Sequence, residues 1–162
     1  MKTILIMCYT GFRPGELLSV KKENVFIDER IIIGGFKTDA GTNRHVPIHN
    51  KILPFVEEFY NKNDRFLIQN EPGRAGSPID LNNWRKRNFI PTLVELGILE
   101  NEKDNHVTPK SGRKTFASLA DEAKLPPNVI ERIIGHTDFD TTNEFYIQKS
   151  DRELTKNIDL IL

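Results

Sequence analysis

The sequence predicts a mainly helical α+β fold, with a small three-stranded antiparallel sheet in its N-terminal third. Three observations carry that expectation. Apolar residues recur at helical spacing in most of the chain, short β-type runs are confined to residues 25–48, and glycine, proline and Asp/Asn clusters punctuate the joins.

A helix is expected over Thr3 to Tyr9, broken by Thr10-Gly11-Phe12-Arg13-Pro14-Gly15 before Glu16, Leu17, Leu18 and Val20 resume the pattern. Pro14 suits the first turn of that second helix, so Arg13 falls at or just before a helix start. There a guanidinium and backbone N–H groups can face the same anion. Val25 to Ile27, Arg30 to Gly35 and Arg44 to Ile48 then read as strands joined by hairpins, with Lys37 at the mouth of the second.

Helices return from Asn50 to Asn61 and from about Asp80 to Leu96, the latter capped by Asp80 and kinked or split by Pro91. Gln69 to Ser77, with Pro72, Gly73 and Gly76, reads as an exposed loop. Further helices are expected from Ser111 to Glu122, from Pro126-Pro127 through Ile134 to a stop at Gly135, and over Thr141 to Gln148. The last segment, Asp151 to Leu162, places Leu154, Ile158 and Ile161 on one helical face.

At 162 residues the chain fits one domain with a sizeable core. The single cysteine, Cys8, allows no internal disulfide and no cysteine-based zinc site, and the four histidines lack metal-ligand spacing. No metal and no cofactor are expected. His45, His49 and His106 read as surface or turn residues. No apolar run approaches a membrane span, and Ile4 to Cys8 is too short for a signal peptide, so a cytoplasmic protein is expected. The formal charge is zero, a mild argument against a nucleic-acid enzyme. A basic face can nonetheless be balanced by acids elsewhere, among them Glu57, Glu58, Glu95, Glu100 and Glu102. The abrupt hydrophobic opening suggests a fragment of a longer protein.

Four separated motifs line up in order. Thr-Gly-Phe-Arg-Pro-Gly-Glu-Leu at 10–17, Phe36-Lys37-Thr38, Thr-Pro-Lys-Ser-Gly-Arg-Lys-Thr-Phe-Ala-Ser at 108–118, and Ile-Gly-His at 134–136 followed by Thr142 and Tyr146 together resemble the catalytic domain of tyrosine recombinases of the phage and conjugative-transposon integrase type. Any one motif is weak, whereas their order and spacing are specific. The chain departs from the family by carrying Lys110 and Lys114 where histidines are usual.

The resemblance implies the DNA breaking-rejoining fold and a chemistry that needs neither metal nor nucleotide. Tyr146 would be the nucleophile forming a 3′-phosphotyrosyl bond, Arg13 and Arg113 would hold the phosphoryl oxygens, and Lys37 would protonate the leaving 5′ oxygen. His136 would bond the phosphate or carry a proton, Lys110 would add charge beside it, and Glu16 would orient Arg13. The basic triplet Arg85, Lys86 and Arg87, with Lys114, is the expected DNA-facing surface, although a solvated helix face accounts for the triplet equally well. Each residue also has a plain reading alone: Tyr146 as a packed aromatic, Arg13 and Arg113 as surface ion pairs, Lys37 as an edge lysine that discourages strand pairing.

The expected partner is double-stranded DNA, with self-association into a synaptic tetramer, in which residues 151–162 either dock on a neighbouring protomer or fold back on their own core. Arm-binding and core-binding domains of the family are expected outside this chain. Two alternatives stay open: strand cutting of the type IB topoisomerase kind, and a DNA-binding or assembly remnant that has lost catalysis, for which Lys110 and Lys114 are the motive.

Overall fold

The computed structural model describes residues 1–35, 43–69, 76–101, 103–104, 106–135 and 151–161. Lys37, His136, Tyr146 and the helix expected over Thr141 to Gln148 lie outside the described residues.

The chain opens with α1 (Lys2–Thr10), which ends where Gly11 turns left-handed, φ 63°, and returns its N–H to the Met7 carbonyl. Short α2 (Pro14–Leu18) starts at Pro14, whose fixed φ and missing N–H are harmless in a first turn. The sheet follows as β1 (Val25–Phe26), β2 (Ile31–Gly34) and β3 (Arg44–Pro47), antiparallel in the order β1-β2-β3. Register is set by Val25 opposite Ile32 and by Ile32 opposite Val46, three residues that are all buried. The Gly34–Arg44 pair is the last of the described β2–β3 ladder before residues 36–42.

Helix α3 (Leu53–Lys62) follows a turn at His49 to Ile52. The next helical run comprises α4 (Leu81–Trp84), a π-helical turn over Arg85–Phe89 and α5 (Ile90–Glu95). Asp80 caps it, its carboxylate accepting the Asn83 N–H at 2.8 Å. Pro91 therefore neither splits nor ends the helix. It lacks an N–H and crowds the carbonyl four residues back, and the wider turn immediately before it accommodates both defects.

Helix α6 (Ser111–Glu122) lies along α1 in the most extensive helix pair of the fold. That closeness depends on Gly112, where a Cβ would stand 2.9 Å from the Met7 Cβ, and on Gly11, where one would stand 2.7 Å from Phe116 Cδ1. Helix α7 (Pro127–Ile134) ends at left-handed Gly135, φ 72°. Helix α8 (Asp151–Ile158) packs against β3.

The core joins α1, α2, the sheet and α6 to α8, with Phe12, Ile32, Val46 and Phe116 wholly buried. Leu154, Ile158 and Ile161 are 0 to 2% exposed within the same chain. Of the two fates expected for this stripe, the structure shows the fold-back. Polar contacts fix it: Arg30 Nη1 and Nη2 donate to Asp159 at 2.8 and 2.7 Å, and His49 Nε2 lies 2.9 Å from the Ile161 carbonyl.

His49 is thus buried, 3% exposed, so of the surface and turn positions its local sequence suggests it takes the turn, with its carbonyl accepting the Ile52 N–H at 3.0 Å. Its partner lies 112 residues away, which local pattern cannot reveal. His45 faces Asp151, with its Nδ1 3.0 Å from both carboxylate oxygens, and His106 is exposed.

Candidate phosphate-binding site

The described part of the site is built where the α1–α2 corner, the base of the hairpin and the start of α6 meet. Arg13 is the residue preceding α2, and Glu16, three residues on, reaches back to it twice. One Glu16 oxygen accepts the Arg13 backbone N–H at 3.1 Å and the other accepts Arg13 Nη1 at 2.8 Å. The first of these bonds is the returning half of a capping box. It explains why a glutamate at this spacing orients the arginine.

Glu16 is also the partner of Arg44, whose Nη2 donates to its Oε2 at 2.7 Å. Both side chains of that pair are nearly sealed from water, 3% and 2% exposed. Burial alone would raise the Glu16 carboxyl, but hydrogen bonding and charge from Arg44, followed by Arg13, hold it below the usual carboxylate range. Glu16 therefore stays ionised between two guanidiniums.

Arg113 enters from the first turn of α6. The Gly112 contact with α1 brings the guanidinium to the Gly11 carbonyl, which accepts Nη1 at 2.8 Å. Its Nη2 is buried and has no hydrogen-bond partner among the described residues. Burial, then repulsion from Arg13 and Arg44, lowers the Arg113 pKa from its usual range to about 10, with Glu16 opposing. Three guanidiniums surround one carboxylate, so the described cluster carries a formal excess of two positive charges. A buried donor without an acceptor, in an uncompensated positive field, is the complement of a tetrahedral oxyanion.

The other expected site residues fall less centrally. Lys110 immediately precedes α6 and is exposed, as is Lys114 one turn later. Lys86 and Arg87 are exposed on the π-helical turn and Arg85 is half-buried there, beside inward-facing Trp84 and Phe89. The structure thus brings together Arg13, Glu16 and Arg113. It leaves Lys110 and Lys114 at the rim and the basic triplet on a separate helical run. Among the described residues no cluster of His, Cys, Asp and Glu could hold a metal ion.

Sequence reasoning missed Arg44. A signal was present: Arg44, Val46 and Ile48 share one parity of the third strand, and the latter two face the core. An arginine on the buried parity requires a buried acid, and Glu16 is that acid.

Comparison with known proteins bears on this arrangement. The chain is 26% identical over 162 residues to the tyrosine recombinase XerA of Pyrococcus horikoshii, covering 98% of this chain and 53% of that protein. It is 22% identical over 141 residues to XerC of Chlamydia pneumoniae, covering 84% of this chain and 43% of the relative. The chain spans about half the length of these relatives. Among solved structures, the integrase from mycobacterium phage Brujita superposes with TM-score 0.72 at 16% identity, covering 99% of this chain and 50% of that one. The Tn1549 transposon integrase, in complex with circular intermediate DNA, superposes with TM-score 0.61 at 19% identity, covering 97% and 56%. These superpositions identify the helical fold with its three-stranded sheet as that of tyrosine recombinase catalytic domains. A model of the phage integrase family matches residues 2–153, nearly the whole length, and the chain belongs to that family.

Proposed function

We propose that this chain carries out the strand cleavage and rejoining of site-specific DNA recombination, for integration or excision. The observation that carries the reading is the buried Nη2 of Arg113, which has no hydrogen-bond partner among the described residues and stands beside Arg13 in a cluster whose positive charge Glu16 only partly offsets. An oxyanion satisfies that nitrogen and the excess charge together. A DNA phosphodiester is the oxyanion that relatives named recombinases and an integrase bound to DNA suggest.

In this reading the Arg13 and Arg113 forks bind the non-bridging oxygens and gain strength as charge builds on them during attack. Tyr146 forms the new P–O bond as the bond to the 5′ oxygen breaks. The phenol gives up one proton, and Lys37 supplies one to the departing 5′ hydroxyl, so each exchange balances. His136 bonds the phosphate or carries the phenolic proton. The 3′-phosphotyrosyl ester conserves the energy of the original bond, and a new 5′ hydroxyl reverses the steps. Exposed Lys110 adds charge at the rim, while Lys114 and the Arg85 to Arg87 turn contact the duplex backbone.

Self-association on DNA into a synaptic tetramer belongs to the same proposal. The stripe of Leu154, Ile158 and Ile161 is not its contact surface in this arrangement, because those side chains are already in the core. Arm-binding and core-binding domains outside this chain would supply much of the site selectivity.

The test is incubation of the chain with a pool of nicked duplexes of randomised sequence, followed by denaturing electrophoresis. A covalent protein–DNA adduct, absent in Tyr146→Phe, supports the proposal. DNA binding without any adduct overturns it in favour of an assembly remnant, and relaxation of supercoiled plasmid without strand exchange would favour topoisomerase-like cutting.

A further inference from the structure

The Arg44 side chain joins two distant parts of the chain, the α1–α2 corner and the end of α7. Its Nη2 donates to Glu16 Oε2 at 2.7 Å, its Nε donates to the Ile133 carbonyl at 2.9 Å, and its guanidinium lies 4.9 Å from the centre of the Phe12 ring. Its backbone pairs with Gly34 across the sheet. Residues 36–42, which include Lys37, thus depart and return at the Gly34–Arg44 pair. Residues 136–150, which include His136 and Tyr146, begin three positions beyond the carbonyl that Arg44 holds. Through Glu16, the same guanidinium is one carboxylate away from Arg13.

Stability alone does not explain an arginine here. The side chain occupies the buried parity of its strand, where an apolar residue would pack beside Val46 and Ile48. A buried ion pair is often no more stabilising than apolar side chains of similar volume. What an apolar residue lacks is a fork that joins a carboxylate on α2 to a carbonyl on α7.

We infer that Arg44 is a positioning residue for strand cleavage, directing Arg13 through Glu16 and fixing the points from which the Lys37 and His136–Tyr146 segments start. The inference rests on the proposed function. Arg44 acts through other residues and does not contact the phosphate. Lysine at this position keeps the charge, but one ammonium on a flexible stem does not reproduce a planar fork bonding Glu16 and Ile133 together. With the arginine removed, Glu16 faces Arg13 from its own corner and Arg113 from α6, and burial favours its protonation, which releases Arg13.

The experiment compares wild type, Arg44→Lys and Arg44→Met in the full chain, using the nicked duplex pool. Single-turnover adduct formation, DNA affinity and the pH dependence of cleavage are measured at a temperature where circular dichroism shows each protein folded. Arg44→Lys is expected to form adduct about tenfold more slowly or worse, with DNA affinity within about threefold of wild type. Arg44→Met is expected to be slower still, with the acid limb of its pH profile moved to higher pH. If Arg44→Met does not fold, Arg44→Gln, whose single amide can donate to Glu16 without the fork that also bonds the Ile133 carbonyl, carries the same expectation of slowed cleavage.

Wild-type rates in the folded variants overturn the inference and leave the proposed function standing. Absence of adduct from the wild type overturns the proposed function. In that event the arrangement is still read by titrating inorganic phosphate against the Arg113 Nε–H nuclear magnetic resonance signal. A phosphate-induced shift present in wild type and lost in Arg44→Lys supports positioning by Arg44, and equal shifts in both, or none in either, refute it.

Discussion

Replacing Arg113 by methionine is expected to raise the thermal stability of the anion-free chain while abolishing strand cleavage. Burial and the charges of Arg13 and Arg44 lower the Arg113 pKa by between two and three units, to about 10. At about 1.4 kcal/mol per tenfold change in proton affinity, holding this guanidinium charged in the folded state costs on the order of 3 kcal/mol. The folded value is the lower one, so the cost is fully present at neutral pH and eases only as pH rises through about 10. Screening at the solvent-facing side of the group reduces it to about 2 kcal/mol. Losing the hydrogen bond to the Gly11 carbonyl gives back about 1 kcal/mol. The net gain is about 1 kcal/mol, or roughly 2–4 °C in melting temperature for a chain of this size. Melting followed by circular dichroism at pH 7, in low-salt buffer free of phosphate and sulfate, measures it. Inorganic phosphate at about ten times its dissociation constant should then stabilise wild type by about 1.4 kcal/mol and close the gap, leaving Arg113→Met with only the general salt effect. A variant that melts several degrees below wild type before phosphate is added refutes the argument that this cluster is held against its own repulsion.

Gly11→Ala places a methyl 2.7 Å from Phe116 Cδ1 at a left-handed backbone position, φ +63°. It is expected to cost about 1–3 kcal/mol in urea unfolding and to slow cleavage by displacing the carbonyl that holds Arg113. Asp159→Asn weakens the clamp from Arg30 and Asn50 on the C-terminal segment, at a cost of about 1–2 kcal/mol near neutral pH. Burial raises the Asp159 carboxyl, but hydrogen bonds from Arg30 and Asn50 with the charges of Arg30 and His49 together make the net direction downward, so wild type and variant should converge as pH falls through the carboxylate range. His49 is lowered by burial against opposition from the Ile161 carbonyl and Asp159, so the unfolded chain takes up its proton first. Stability of wild type should therefore decline as pH falls below about 6.5, and His49→Gln should flatten that part of the curve.

Most elements are legible in the sequence because local rules and tertiary packing agree. Pro14 and Pro127 begin helices, Gly11 and Gly135 end them, and Asp80 caps one. The run around Pro91 could not be resolved from sequence, since a kink, a break and a wide turn all answer the same missing N–H; the structure has the wide turn, with Trp84 and Phe89 buried at its two ends. The arginine boxes were legible as motifs, and Glu16 was legible from its spacing. What local pattern could not supply was long-range partnership: Arg44 with Glu16 across 28 positions, His49 with Ile161 across 112, and Arg30 with Asp159 across 129.

The same distinction resolves the apparent difficulty posed by the neutral overall charge. Net charge is a sum over the molecule, whereas an anion responds to the field where it binds, and that field is set by nearby groups in a partly water-excluded setting. Glu58 pairs with Lys2 at the exposed side of α3, and Glu95 and Glu100 lie exposed around the end of α5. None of these three acids bonds to the arginine cluster, where Glu16 is the acid that faces Arg13, Arg44 and Arg113 among the described residues. Adding a second buried carboxylate there would raise stability by satisfying Arg113 Nη2, and it would occupy the place proposed for the phosphate. Glu16 bonds two of the guanidiniums, the Gly11 carbonyl takes one nitrogen of the third, and among the described residues Arg113 Nη2 is left with no acceptor, which is the place an anion would fill.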